Sequence, residues 1–198
     1  MAIVINANDG SISGLSVGGL PDGTVDSGTL ATNSVDSAEL IDGSIDTAHI
    51  GTDQITSAIL PAGSVLQVVT AASETATTTT GTAWTASAIT ASITPSATSS
   101  KVLVLADPYV ATSATTATVS YTIFQDGTTN LGNGTYGLGS FYGVAAAEVQ
   151  GSINVVSSPS TISAVEYKVY FNRRDGAGTV TCGQVNRTSV ITLMEIAG

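Results

Sequence analysis

Between Val25 and Val65 an aliphatic residue falls on every fifth position: Val25, Leu30, Val35, Leu40, Ile45, Ile50, Ile55, Leu60 and Val65. Neither common element has that period, since a helix returns to one face after ~3.6 residues and a strand after two. Aligned in tens, the segment reads TVDSGTLATN, SVDSAELIDG, SIDTAHIGTD and QITSAILPAG. The unit is therefore a decad carrying two aliphatics, and a fixed period marks a repeat architecture. Leu15 and Leu20 keep the spacing further upstream without the rest of the pattern.

The chemistry of one decad predicts its conformation. Val35 belongs to a short extended piece, and Asp36 suits an N-cap with Glu39 as its capping-box partner three residues on. Ser37 to Leu40 then form one helical turn, and Asp42-Gly43 supplies a tight turn in which Gly takes positive φ. The same order returns at Ile45, Asp46 and Thr47. One helical turn is unstable alone, and two aliphatics per decad build no core within one chain. Three arrangements compete. A single-chain solenoid like the pentapeptide-repeat proteins would close only about two coils, short of the three repeats stability requires. A disordered linker has no reason to hold an aliphatic spacing. A homotrimeric stalk, which we favour, lets each aliphatic meet its two copies on an axis. Each side chain buried there contributes roughly 1.5–3 kcal/mol before entropy.

Composition narrows the partners. The formal net charge is −10, which disfavours nucleic acid, because phosphate binding needs a basic face. Residues 1–63 hold eight acidic residues and no Lys or Arg, while Lys101, Lys168, Arg173, Arg174 and Arg187 all follow. That shift reads as a boundary between two structural regimes. Cys182 is the only cysteine, so we expect no internal disulfide and a small buried side chain. No stretch approaches the ~18 apolar residues of a membrane span, and the start MAIVINANDG lacks the pattern of a secretory signal.

From Gly63 onward the period becomes two. ATVSYTIF places Val119, Tyr121 and Ile123 on one face and Thr118, Ser120 and Thr122 on the other. AVEYKVYF sends Val165, Tyr167, Val169 and Phe171 inward. KVLVLA and SVITLMEI are apolar on both faces, as in central strands or strands at a subunit interface. Asp126-Gly127 and Asp175-Gly176 are turn signals. The pattern predicts strands near 64–70, 74–80, 82–93, 101–110, 115–126, 141–156, 162–173 and 187–196, with a short piece near 178–182. The expected fold is all-β: a repeat stalk followed by a jelly-roll-like β-sandwich, in a homotrimer.

The decads of the type SVDSAELIDGSIDTAHI, the stretch ASITPSATSSKVLVLA, the closing SVITLMEIAG and the opening GSISGLSVGGLPDGTV together resemble the short fibre proteins of tailed bacteriophages, especially those of aquatic hosts. The resemblance runs over nearly the whole chain. It implies a non-enzymatic virion structural protein, trimeric, made in the host cytoplasm and placed on the tail or capsid surface. It further implies an attachment segment at 1–23, a stalk at 24–63 and an outward knob at 64–198. Residues 1–63 would meet other virion proteins, and the knob would meet a host-surface glycan or protein. A capsid decoration protein or head fibre is the competing role. The resemblance supplies no catalytic residue, cofactor or metal.

The residues themselves add candidates. His49 takes the variable decad position and is expected in solvent. Asp26, Asp36 and Asp46 recur every ten residues, and helix capping explains them better than a calcium ladder. GNGTYG at 132–137 matches a dinucleotide fingerprint but has no strand–turn–helix context. It belongs instead to a loop from Asp126 to Gly143, in which Leu131, Tyr136 and Leu138 form the candidate receptor contact, with Arg173 and Arg174 of a separate turn as a second exposed candidate. We expect Phe141 and Tyr142 to be buried at the trimer interface by the loop folding back. Glu148, Glu166, Asp126 and Asp175 show no spacing that selects a glycan-cleaving pair.

Overall fold

The computed structural model describes residues 4–5, 8, 12–13, 45–46, 48–52, 54–56, 59–114, 116–143 and 146–198. The chain divides into two compact units, Met1–Gln54 and Ile55–Gly198. Among the described residues the secondary structure is strand and turn, with no helix. All strand pairing is antiparallel.

In the first unit, β1 (Val4–Ile5) pairs with β2 (Ile12–Ser13). The repeat positions Val25, Leu30, Val35 and Leu40, with Asp26, Asp36 and Glu39, lie outside the described residues. From the third decad into the start of the fourth, His49 N–H donates to Asp46 O at 3.0 Å and Gln54 N–H to Gly51 O at 3.3 Å. Asp46 also caps its turn, accepting from Ala48 N–H at 2.8 Å. That amide first, and the His49 side chain second, hold the Asp46 carboxyl below its ordinary range.

The second unit opens with the same two closures ten residues on: Ile59 N–H to Thr56 O at 3.0 Å and Ser64 N–H to Pro61 O at 3.1 Å. A three-residue closure thus recurs at every fifth carbonyl, 46, 51, 56 and 61. Each follows a beat aliphatic directly. The turn predicted at the end of a decad appears here with Gly63 at φ +91°.

The remaining elements of this unit form three sheets. The first carries β5 (Thr85–Ile93), β13 (Val165–Asp175), β8 (Thr118–Gln125) and β10 (Gly139–Tyr142) in the order β10-β8-β13-β5, with β9 (Thr129–Asn130) also on β8. The second joins β12 (Ile153–Ser157), β6 (Lys101–Asp107), β15 (Ser189–Ile196) and β3 (Val65–Ser73) in that order. The third joins β11 (Ala147–Gln150), β7 (Tyr109–Thr112), β14 (Val180–Cys182) and β4 (Thr77–Thr79). The last two sheets are successive halves of the same four chain segments. Pro108, which has no N–H to give a ladder, interrupts between β6 and β7. Gly151 N–H to Pro108 O and Gly183 N–H to Tyr109 O, both 2.8 Å, carry the pairing past the break.

Period-two alternation explains the core. Val165, Tyr167, Val169 and Phe171 of β13 and Val119 and Ile123 of β8 are fully buried, and Tyr121 nearly so. They pack with Val102, Val104, Ile191 and Leu193 from the second sheet and Val110, Val180 and Cys182 from the third. The β13–β5 register shifts at Val169, and Ser87 fills the irregularity. Its hydroxyl donates to Val169 O at 2.7 Å and accepts from Ile89 N–H at 3.1 Å. Cys182 is a free, buried thiol, and burial pushes its pKa up to about 12.

Two details depart from the sequence pattern. Residues 141–156 are not one strand: β10 ends on the first sheet at Tyr142, and β11 starts on the third at Ala147. Thr118, Ser120 and Thr122, on the face of β8 opposite Val119, Tyr121 and Ile123, are also buried. The returning loop accounts for Thr122, whose hydroxyl donates to Asn130 Oδ1 at 2.7 Å.

A buried carboxylate fixes one end of the second sheet. Glu195 has the same parity as Ile191 and Leu193 and is fully inaccessible. Its Oε1 accepts from Ser96 N–H, the Ser96 hydroxyl and the Ser100 hydroxyl, each at 2.7 Å. Its Oε2 accepts from Gln67 Nε2 at 2.6 Å, and Gln67 also donates to Thr94 O. Burial raises the carboxyl's pKa, but the bonds from Ser100, Gln67 and Ser96 outweigh it and leave a net lowering. One side chain thereby ties the 94–100 connection to the C-terminal strand.

Candidate contact surface

The Asp126–Gly143 loop is built as a second layer of turns. Asp126 and Gly127 both have positive φ, at 50° and 66°, and Thr128 N–H donates to Gln125 O at 3.2 Å. This is the primed hairpin turn that Asp-Gly favours. Beyond β9, Leu131 N–H reaches Ile123 O at 2.9 Å and Leu138 N–H reaches Tyr121 O at 3.0 Å. The loop therefore departs from β8 and returns to it.

Between those anchors the GNGTYG stretch closes on itself. Asn133 and Gly137 exchange backbone bonds of 3.1 and 2.8 Å, and Asn133 Oδ1 accepts from Thr135 and Tyr136 N–H at 2.9 Å each. Gly137 stands at φ +69°, and a Cβ there would fall 2.5 Å from Tyr121 O. Gly132 and Gly137 serve close chain approach, whereas a Cβ at Gly134 would meet nothing within 4 Å. Trp84 clamps the tip, its Nε1–H donating to Gly134 O at 3.0 Å.

This folding sorts the candidate residues. Leu131 and Leu138 are half-buried against the core, as is Phe141. Tyr136 projects at the tip and is 58% exposed. The Arg174 guanidinium lies 5.0 Å from the Tyr136 ring centre and donates to Asp175 Oδ2 at 2.6 Å. Arg173 is committed to the backbone instead, donating to Thr80 O at 2.8 Å and to Gly176 O. Tyr142 is exposed in the single chain. The structure thus joins Tyr136 to Arg174 and assigns Leu131, Leu138 and Arg173 to holding the surface in place.

Three aromatics that the sequence pattern did not mark as contact residues complete the surface. Phe124 and Tyr170 stack with centres 4.2 Å apart, and Trp84 lies 6.3 Å from Phe124 at 59°. Phe124 and Tyr170 are outward on their strands, with parity opposite to the core positions. That parity, together with a lone Trp beside a turn, was the available signal. A half-exposed aromatic cluster with an arginine at its rim can stack on a sugar ring or a peptide side chain at low entropic cost.

The four acids considered above are each engaged with a near neighbour. Glu166 pairs with Lys168 at 3.0 Å, Asp175 with Arg174 at 2.6 Å and Glu148 with Arg187 at 3.3 Å. Asp126 accepts from Glu166 N–H at 2.9 Å. No group of three or more His, Cys, Asp or Glu side chains is placed to hold a metal among the described residues. His49 is solvent-exposed, with Nδ1 2.8 Å from Asp46 Oδ1. An open pocket of about 360 Å³, lined by residues including Leu60, Leu66 and Ser100, has no ionisable side chain in its wall. No protein-family model matches the chain, and no curated protein matches it.

Proposed function

We propose that this chain is a non-enzymatic virion structural protein of a tailed bacteriophage: a homotrimeric fibre with a repeat stalk and a jelly-roll knob that contacts the host surface. One observation carries the multichain reading. The beat aliphatics Ile45, Ile50 and Ile55 are 51%, 41% and 52% exposed, although each immediately precedes a regular backbone closure. A single-chain solenoid would have these side chains inside. A regular segment that keeps its aliphatics in water lacks partners, and copies of itself satisfy every layer equally.

The strand order supports a jelly roll. Treating the two halves of each interrupted segment as one gives sheets in the orders β3/β4, β15/β14, β6/β7, β12/β11 and β5, β13, β8, β10. The eight segments then alternate in the two-Greek-key manner of that architecture. The phage assignment follows from the resemblance of the decads and the terminal strand. The Tyr136–Arg174 rim and the Trp84–Phe124–Tyr170 cluster supply the contact surface.

A second role is favoured by a different feature. The eight acids and absent Lys and Arg of residues 1–63 suit docking along a basic protein surface, as in a capsid decoration protein. Quantitative mass spectrometry of purified virions, with antibody labelling in electron micrographs, separates the roles. A few trimers at the tail support the fibre. Hundreds of copies over the head support decoration. Absence from the virion overturns both.

A further inference from the structure

We infer that the outward face of the β12-β6-β15-β3 sheet is a self-association surface, covered by copies of this same chain. The inference rests on the multichain reading above and names the surface through which the β-domain takes part.

The register places four apolar side chains in one row across all four strands. Val156 opposes Leu103, Leu103 opposes Met194, and Met194 opposes Val68. All have the parity opposite to the buried Val102, Val104 and Leu193, so all point away from the core. Val156 and Val68 are 57% and 53% exposed. Ile196, opposite Val65, extends the patch at one end; on the other side the Leu105 row is otherwise polar, with Asn154, Thr192 and Thr70, and the two threonine hydroxyls lie 3.4 Å apart. Charge is confined to the two ends of β6, at Lys101 and Asp107. The outward face of the first sheet differs in kind: its apolar area is the stacked Phe124–Tyr170 pair, set beside the Glu166–Lys168 ion pair, whereas the aliphatic row here has no charge within it.

Area decides what kind of partner fits. Four strands ~4.8 Å apart and seven residues at ~3.3 Å each give a footprint of about 20 by 23 Å, or roughly 450 Å². A stable interface takes roughly 800 Å² from each partner. A partner that met this face alone would therefore bind weakly, and the occupant must engage more of the chain. Val65 indicates how. It is at once the last aliphatic of the five-residue beat and the first residue of β3, 51% exposed and paired with Ile196 at the corner of the patch. The beat runs directly into the face. A copy of the chain is the partner that adds its own beat aliphatics to the contact.

The test compares the full-length chain with a Val68→Glu/Val156→Glu variant by sedimentation velocity at micromolar concentration. Both positions are exposed in the single chain, so circular dichroism is expected to be unchanged. The midpoint concentration for dissociation is expected to rise at least tenfold. A separate Val156→Cys variant is titrated with N-ethylmaleimide. Cys182 is buried and its thiol pKa is high, so it stays silent. The introduced thiol is expected to react at least tenfold more slowly in the assembly than in diluted, dissociated chain. A wild-type chain that is already monomeric overturns the assembly reading and this inference with it. An associated wild-type chain whose double variant associates equally well, and whose introduced thiol reacts at the free rate, overturns this face alone.

Discussion

Replacing Glu195 by Gln removes one charge from the interior while nearly conserving volume. Three bonds converge on Oε1 and one on Oε2, all at 2.6–2.7 Å. The amide oxygen of Gln can keep the Ser96 and Ser100 bonds, but as neutral ones. Bonds to a charged group contribute about 1.5–3 kcal/mol and neutral ones about 0.5–1.5 kcal/mol. The amide nitrogen would also face the Gln67 nitrogen, donor against donor, unless Gln67 turns and abandons Thr94 O. Allowing for non-additivity, the expected loss is about 2–4 kcal/mol at neutral pH. Urea unfolding followed by near-ultraviolet circular dichroism at fixed protein concentration reads it as a midpoint lowered by about 1–2 M. The loss must also depend on pH. The folded pKa of Glu195 lies below the ordinary 4.5, so its contribution is complete above that value. It fades as pH falls through the folded pKa. Wild type and Glu195→Gln should therefore converge below that point. A loss under about 1 kcal/mol at pH 7, or one of equal size in acid, refutes the argument.

Other outcomes follow from single contacts. Gly137→Ala should destabilise by about 1–3 kcal/mol, because a non-glycine residue is strained at φ +69° and its Cβ would strike Tyr121 O; thermal unfolding measures it. Trp84→Phe keeps a ring beside Phe124 but loses the bond to Gly134 O, so hydrogen exchange at Tyr136 should accelerate with a stability loss of about 1 kcal/mol. Tyr136→Ala with Arg174→Ala should weaken binding of the purified protein to host cells at least tenfold without moving the melting temperature. Chelation with EDTA should leave the melting temperature unchanged, since Asp46 is already used by the Ala48 amide; a drop of several degrees would establish a metal role for the recurring aspartates.

How much of this was visible in the sequence depends on which face of a strand is asked about. Val119 to Ile123 and Val165 to Phe171 alternate cleanly, and their buried parity was legible because a pleated strand repeats every two residues. The burial of Thr118, Ser120 and Thr122 was not legible, because the Asp126–Gly143 loop returns over part of that face and the pattern within a strand carries no record of it. Glu195 stands near the end of SVITLMEI, a run otherwise read as apolar on both faces. Its parity with Ile191 and Leu193 marks it as inward, but the serines that satisfy it come from the 94–100 connection, far away in sequence. Leu131 and Leu138 show the same limit at the contact surface. Their composition suited an exposed loop, and only the bonds to Ile123 O and Tyr121 O explain why they turn inward while Tyr136 does not. KVLVLA and SVITLMEI, apolar on both faces, form the two inner strands of their sheet, one of the two placements that this pattern allowed.

The account turns on the number of chains. Sedimentation equilibrium of the full-length protein across the micromolar range measures it directly. The expected mass is three times that of the 19.7 kDa chain, unchanged on dilution through that range. A single species at the mass of one chain would contradict the account, because the exposed beat aliphatics and the apolar sheet face would then both be left in water.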